Sequence, residues 1–357
     1  MRSVEVDAVL LVAGSNMRYL TGFNWQLTER LVGALITQSD TIYICPKFEE
    51  SAMRAAVRVE HEFAFWQEHE SPTDLVANLL KAKNLTSLAI DANSPFWLFE
   101  RLQKSCHDIA ITSATGLVGD LRACKSENEL ALIRHAMQLT LKAHQQAFEF
   151  IRPGMRTSEI SKFIDETHRK LGADNGSYFC AVQFNEGTSH PHGVPGDPQL
   201  TDNSLILIDT GCQVDGYHSD ITRTYCIGKV PQKIHDIWHI EKEAQQAAFD
   251  AAKPGVPCEN VDYAARQVLH KHGLSADYEL PGLPHRTGHG LGLEIHEAPY
   301  LVRGDKTPLA KGMCFSNEPM IVVPNQFGVR LEDHFYMDDD AAQWFTQPQH
   351  SIERPFG

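Results

Sequence analysis

Residues 205–227 read LILIDTGCQVDGYHSDITRTYCI, two β-prone runs separated by Asp215-Gly216. Asp-Gly between such runs is a strong hairpin code, because the central residues of the favoured two-residue turn both take a positive φ. A turn at that point also sets the register on either side of it. Asp209 then lies diagonal to Asp220 across the ladder, with both side chains on one face. Diagonal neighbours sit roughly 7–8 Å apart at the backbone, close enough for two carboxylates to serve one metal pair. An acidic pair on one face of an otherwise apolar hairpin is costly to bury without a cation. The hairpin is a first indication of a metal site and does not settle it alone.

The first third of the chain alternates strand and helix patterns. Strands are predicted at 4–12, 31–37, 41–45, 62–66, 88–91 and 108–112, and helices at 47–58, 71–82 and 94–106. Ser71-Pro72 and Ser94-Pro95 each read as an N-cap followed by proline in the first turn. This is a small α/β domain, expected over residues 1–118, without a glycine-rich phosphate loop or an ionisable cluster. Its expected role is scaffold or dimerisation.

Residues 116–125 (GLVGDLRACK) read as the joint to a second domain, 119–357. Ser126 and Glu129 form a capping box for a long helix that runs to about Ile151 and stops at Pro153-Gly154. A further helix from Thr157 places Ile160, Phe163, Ile164 and Thr167 on one face and ends at Gly172. The pattern then returns. Gln145-Gln146, Phe148, Pro153-Gly154 and Gly172 recur as Gln245-Gln246, Phe249, Pro254-Gly255 and Gly273, with a constant offset of about 101 residues from Phe148 onward. Two helices joined at a Pro-Gly stop, each time followed by strand-rich sequence, read as an internal duplication. Such a unit suggests a site where the halves meet.

Composition narrows the function classes. Lys+Arg 32 against Asp+Glu 46 leaves a net charge of −14, which argues against a nucleic-acid or anionic-membrane partner. No run approaches the roughly 18 apolar residues needed to span a bilayer. Glu5 and Asp7 interrupt the first apolar stretch, so it does not read as a signal peptide. Eight cysteines without a CxxC pair read as reduced thiols, and the expected location is the cytoplasm.

Three stretches besides the hairpin are dense in ligand-type residues. They are 283–298 (LPHRTGHGLGLEIHEA), 316–320 (SNEPM) and 329–333 (VRLED), the last with Arg330 and Glu332 on one strand face. Singly, each has a bland reading: a lone histidine is more often a hydrogen-bonded residue than a ligand, and Glu294 and Glu297 read better as solvated charges. Jointly, Asp209, Asp220, His289, Glu318 and Glu332 are hard to explain as packing, because buried acids need partners.

In that order these five residues resemble the ligand signature of the pita-bread dinuclear metallopeptidases, a family that includes methionine aminopeptidase, aminopeptidase P and prolidase. The matching stretches are DTGCQVDGYHSDITRT, HRTGHGLGLEIHE, SNEP and VRLED, covering the chain from about Lys125 onward. The resemblance implies an α+β fold, a pita-bread domain with pseudo-twofold duplication behind a small α/β domain. It implies two divalent ions, with Asp209 on one, Asp220 and Glu332 bridging, and His289 and Glu318 completing the shell. Four carboxylates and one imidazole favour Mn²⁺, with Co²⁺ and Zn²⁺ as alternatives. The activity implied is hydrolysis by a metal-activated hydroxide, with Glu318 shuttling its proton and His192 and His296 contacting the substrate and the tetrahedral intermediate. His190 lies close to His192, but Pro191-His192-Gly193 fits the family pattern better. Arg330 resembles an arginine that pairs with Glu332 or with a substrate carboxylate, and His285 would line the pocket.

The preceding α/β domain points away from a short methionine aminopeptidase and toward enzymes that cut before proline. Compact length favours an Xaa-Pro dipeptidase, or prolidase, acting as a homodimer on small peptides with proline in second place. Aminopeptidase P and amide hydrolases such as ectoine hydrolase are the alternatives. Relatives that serve as binding modules have lost ligands, whereas all five positions are filled here.

Overall fold

The computed structural model describes residues 6–57 and 61–356. Two compact units follow one another, the first ending at Arg122 and the second beginning at Ala123. The strand expected from Val4 and the helix end expected at Arg58 reach outside the described residues.

The first unit is built on β1 (Ala8–Val12), β2 (Gly33–Thr37), β3 (Thr41–Pro46), β4 (Glu62–Trp66), β5 (Ser87–Ile90) and β6 (Ala110–Ser113). They form one six-stranded mixed sheet in the order β4-β3-β2-β1-β5-β6. Alternate residues of β1 feed two apolar clusters, Ala8, Leu10 and Val12 in one and Val9 and Leu11 in the other. Both faces of the sheet are therefore covered, which is why β1 is apolar throughout. The helices are α1 (Ser15–Thr21), α2 (Glu50–Ala56), α3 (Pro72–Ala82), α4 (Phe96–Ser105) and α5 (Thr115–Ala123).

Three details differ from the sequence reading. Helix α1 has no counterpart in it, because seven residues give too little periodicity. Ser71 caps α3 as expected, accepting a hydrogen bond from Asp74 N, but α4 is capped by the backbone at Pro95 and the Ser94 hydroxyl is buried without a partner. The stretch read as a joint is helical, as α5.

The second unit repeats one pattern. Helices α6 (Glu127–Phe150) and α7 (Thr157–Leu171) precede β7 (Ser177–Phe184), β8 (Ser204–Val214), β9 (Tyr217–His218) and β10 (Ile221–Ile227). Helices α8 (Gln232–Ala251) and α9 (Cys258–Lys271) precede β11 (Gly288–Gly290), β12 (Glu297–Leu301), β13 (Cys314–Asn317), β14 (Met320–Val323), β15 (Phe327–Arg330), β16 (Asp333–Met337) and β17 (Ala342–Trp344). The first sheet runs β10-β8-β7 with β9 on β8, and the second runs β12-β11-β13-β16-β17 beside the pair β14-β15. Ser126 and Glu129 form the capping box of α6, and Gly172, at φ 98°, ends α7.

Burial refines the alignment of the two halves. Ala143, His144 and Ala147 are buried, as are Ala244, Gln245 and Ala248, while Gln145 and Gln246 are exposed. The offset is thus 101 through this turn too, and Gln145 corresponds to Gln246. The paired glutamines in the sequence had masked a shift of one residue.

Two buried histidines of the first half make an acid-sensitive region. His168 is fully buried between the Thr140 and Ser177 hydroxyls, at 3.0 and 2.8 Å, and burial pushes its pKa down to about 4. His144, bonded to the Ile221 carbonyl, is pushed down to about 3 by burial and the charge of Arg223. An unfolded histidine titrates near 6.5. Below that pH the unfolded chain takes up protons that these sites refuse, so the stabilisation present above pH 6.5 is lost as pH falls toward their folded values. Between pH 7.5 and pH 5 the stability of the wild type should fall by about 2 kcal/mol relative to His168→Gln. Urea midpoints of the two proteins at both pH values measure this; an unchanged difference would exclude the mechanism.

Candidate metal centre

The hairpin sets the first two ligand positions. Asp215 and Gly216 both have positive φ, 45° and 73°, as the two-residue turn requires. From Val214↔Tyr217 to Asp209↔Thr222 the register is unshifted. Thr222 is therefore opposite Asp209, and Asp220 is two residues away on the same face, the diagonal relation read from the sequence.

The other three positions come from the second half. His289 lies in β11 between Gly288 and Gly290. A Cβ on Gly288 would run into the Ser316 carbonyl, so glycine is what lets β11 pack this close to β13. The His289 amide donates to Ser316 Oγ at 2.9 Å, and that hydroxyl contacts Glu318 Oε1 at 3.1 Å. Glu318 is anchored by its own amide to the Thr287 carbonyl. Glu332 was read as strand together with Arg330, but β15 stops at Arg330 and β16 starts at Asp333. Glu332 instead makes an isolated bridge to Thr222, whose hydroxyl donates to Glu332 Oε2 at 2.7 Å.

These arrangements bring the candidate ligands together. One carboxylate oxygen each of Asp209, Asp220 and Glu332 lies within 4.8 Å of the others. His289 Nε2 is 3.1 Å from Glu318 Oε1 and 3.9 Å from Asp220 Oδ2. His289 Nδ1 faces the Gly290 carbonyl at 2.9 Å, which leaves Nε2 as the ligand atom.

The electrostatics are those of an anion cluster. Burial lifts the Asp220 and Glu332 carboxyls well above the usual carboxylate range, and neighbouring acids push the same way. Asp209 is also raised by burial, against the pull of Arg330. Glu318 goes the other way: burial opposes its charge, but the contact with His289 holds it below its ordinary value. Asp209 Oδ1, Asp220 Oδ1 and Glu332 Oε1 are buried without a hydrogen-bond partner. Buried carboxylate oxygens are costly unless paired or coordinated, so this donor set fits divalent cations.

Arg330 differs from the sequence reading. It pairs with Asp209 rather than Glu332, donates to Thr222 Oγ1 at 3.1 Å, and reaches the Pro191 carbonyl at 3.0 Å. Thr222 and Ser316 were missed, though each stands two residues from a candidate ligand on the same strand face. Glu297 also differs: it is buried and paired with Lys125 Nζ at 2.7 Å, instead of being solvated. Glu294 is half-buried.

A cleft of about 410 Å³ opens beside the acids, lined by His192, His285, Arg286, His296, Glu318 and Arg330. The His296 ring, on an exposed residue, stands edge-on to His289 at 4.2 Å. The His285 carbonyl is clamped by Arg266 Nη2 of α9 at 2.6 Å, and burial lowers the pKa of its ring. His192 and His190 are both exposed, and of the two it is His192 that lines the cleft.

Comparison with known proteins places this geometry in context. Residues 131–339 match the model of metallopeptidase family M24, and residues 1–124 match the Creatinase/Prolidase N-terminal domain. YkvY of Bacillus subtilis (strain 168), a protein with a dipeptidase name, is 33% identical over 344 residues, 95% of this chain and 93% of its own. A prolidase from Thermococcus sibiricus superposes with a TM-score of 0.88 at 29% identity, covering 97% of this chain and 94% of that one. Dipeptidase PepE from Mycobacterium ulcerans superposes at 0.91 and 29% identity, covering 99% and 94%. The expected fold, a pita-bread domain behind a small α/β domain, is the one found.

Proposed function

The chain belongs to metallopeptidase family M24, and from that premise we propose that it hydrolyses Xaa-Pro peptide bonds as an Xaa-Pro dipeptidase, or prolidase. The observation that carries this reading is the convergence of three partnerless carboxylate oxygens, from Asp209, Asp220 and Glu332, beside a histidine-lined cleft. The prolidase and dipeptidase folds that match over nearly the whole chain support it. Proline nitrogen carries no hydrogen, so the scissile imide gives a peptidase no N–H to hold, and recognition must come from elsewhere in the cleft.

Two divalent ions, Mn²⁺ by the hardness of the carboxylates, would be held by Asp209, Asp220, His289, Glu318 and Glu332. When bound, they supply Lewis acidity for activating a water and polarising the scissile carbonyl. Glu318, on the cleft wall beside His289, is the group that would take the water's proton and return it to the leaving nitrogen. His192 and His296, on the cleft wall, would hydrogen-bond the substrate and the developing oxyanion. Arg330, engaged by Asp209, Thr222 and Pro191, positions a ligand and the wall of the cleft. Arg286, whose guanidinium lies over Tyr300 at 4.4 Å, is the cleft arginine for the C-terminal carboxylate of a dipeptide.

The same reading takes residues 1–118 as the dimerisation domain, 119–357 as the catalytic domain, and the working form as a cytoplasmic homodimer. No helix among the described residues is long and apolar enough to cross a membrane. Turnover of metal-stripped protein with and without Mn²⁺, on Gly-Pro and on Ala-Pro-Ala, tests the assignment. Metal-dependent cleavage of the dipeptide alone is expected. Preference for the tripeptide would make the enzyme an aminopeptidase P, and failure on both would redirect the site to another amide, as in ectoine hydrolases.

A further inference from the structure

One side chain against the acid cluster belongs to none of the roles above. His334 follows Glu332 by two residues at the start of β16. Its side chain is fully buried, the Asp220 backbone is the polar group its ring approaches, and neither ring nitrogen makes a well-formed hydrogen bond. A buried imidazole must place one N–H and one lone pair, and with the N–H turned to the Asp220 backbone the lone pair of the other nitrogen is left to be matched. One ring nitrogen of His334, one of His289 and one carboxylate oxygen of Glu332 all lie within 4.8 Å of one another. The two rings are 6.0 Å apart, inclined at 67°, so they present edges and not faces to the space between them.

The position follows from local geometry. Residues i and i+2 of an extended segment point to one face, so a chain that aims Glu332 at Asp220 and Asp209 aims His334 the same way. Asp333, between them, points to the opposite side, where it meets Arg223.

From this geometry we propose that His334 is a sixth protein ligand of the centre, coordinating alongside His289 and Glu332. The inference rests on the metal site proposed above and adds a second imidazole to it. Two imidazoles and four carboxylates make a softer donor set than one imidazole and four. Zn²⁺ and Co²⁺ then gain affinity relative to Mn²⁺. A neutral imidazole also adds a ligand without adding negative charge, which preserves the Lewis acidity of what it binds.

Proton NMR of the full-length protein loaded with Co²⁺ counts the coordinated imidazoles directly. Each ligating histidine keeps an N–H on its other nitrogen, and that proton gives a strongly shifted resonance that disappears in D₂O. At least two such resonances are expected. His334→Gln should lose one of them and bind Co²⁺ about tenfold or more weakly, with a smaller loss for Mn²⁺. A single shifted N–H in the wild type, or both surviving in His334→Gln, overturns the inference. If His334→Gln does not fold, His296→Gln carries the test: two resonances retained support His334, and a fall to one assigns the second imidazole to His296 and overturns it. Co²⁺ uptake with one imidazole defeats this inference alone, whereas no Co²⁺ uptake defeats the metal centre with it.

Discussion

Asp220→Asn should lower turnover on Gly-Pro by on the order of a thousandfold, about 4 kcal/mol of barrier, and leave the fold intact. Asp220 is buried among Glu332, Asp209 and Glu318, each of which disfavours its charge. The asparagine has the same shape and removes one negative charge from the cluster. Without metal the variant should therefore melt at or above the temperature of metal-free wild type, because repulsion has been relieved. With metal the order reverses, since a folded state that binds a cation gains stability as the logarithm of the ratio of cation concentration to Kd. Metal content by mass spectrometry, melting with and without Mn²⁺, and turnover together check this. Normal turnover with normal metal content would remove Asp220 from the ligand set.

The second large effect is on stability. Arg223 and Asp333 form an ion pair at 2.6 Å in which both side chains are completely buried. Arg223 Nη1 also donates to the Glu332 carbonyl at 2.8 Å, and Asp333 accepts from Gln245 Nε2 at 3.2 Å. Asp333→Ala leaves a buried guanidinium without its counter-charge, which costs about 3–5 kcal/mol. Arg223→Met combined with Asp333→Leu should recover much of that loss, because two apolar groups leave no charge unmet. Urea denaturation of the metal-free single and double variants measures both terms. A single variant within 1 kcal/mol of wild type would show that the pair is solvated (about the scale of an exposed pair).

What the sequence disclosed depended on the range of the interaction. The Asp215-Gly216 turn is a local code, so the diagonal placement of Asp209 and Asp220 could be read without a structure. The Ser126–Glu129 cap was legible for the same reason. Glu297 was misread because its partner, Lys125, stands 172 positions away, and no pattern near Glu297 announces a buried cation. The Arg330 partner was not legible, because Asp209 stands 121 positions away and no local pattern selects it over Glu332. His334 did carry a signal, its spacing of two from Glu332. That spacing alone does not separate a ligand from an ordinary strand residue.

The two-half architecture has a consequence for the order of events in folding. Asp209 and Asp220 belong to the hairpin of the first half, and His289 in β11, with Glu318 and Glu332 between strands, to the second. Neither half holds a complete site, and a coordination shell cannot form before both have docked. A cation held by all five residues would therefore bind only after the halves have docked, and its uptake would report their assembly.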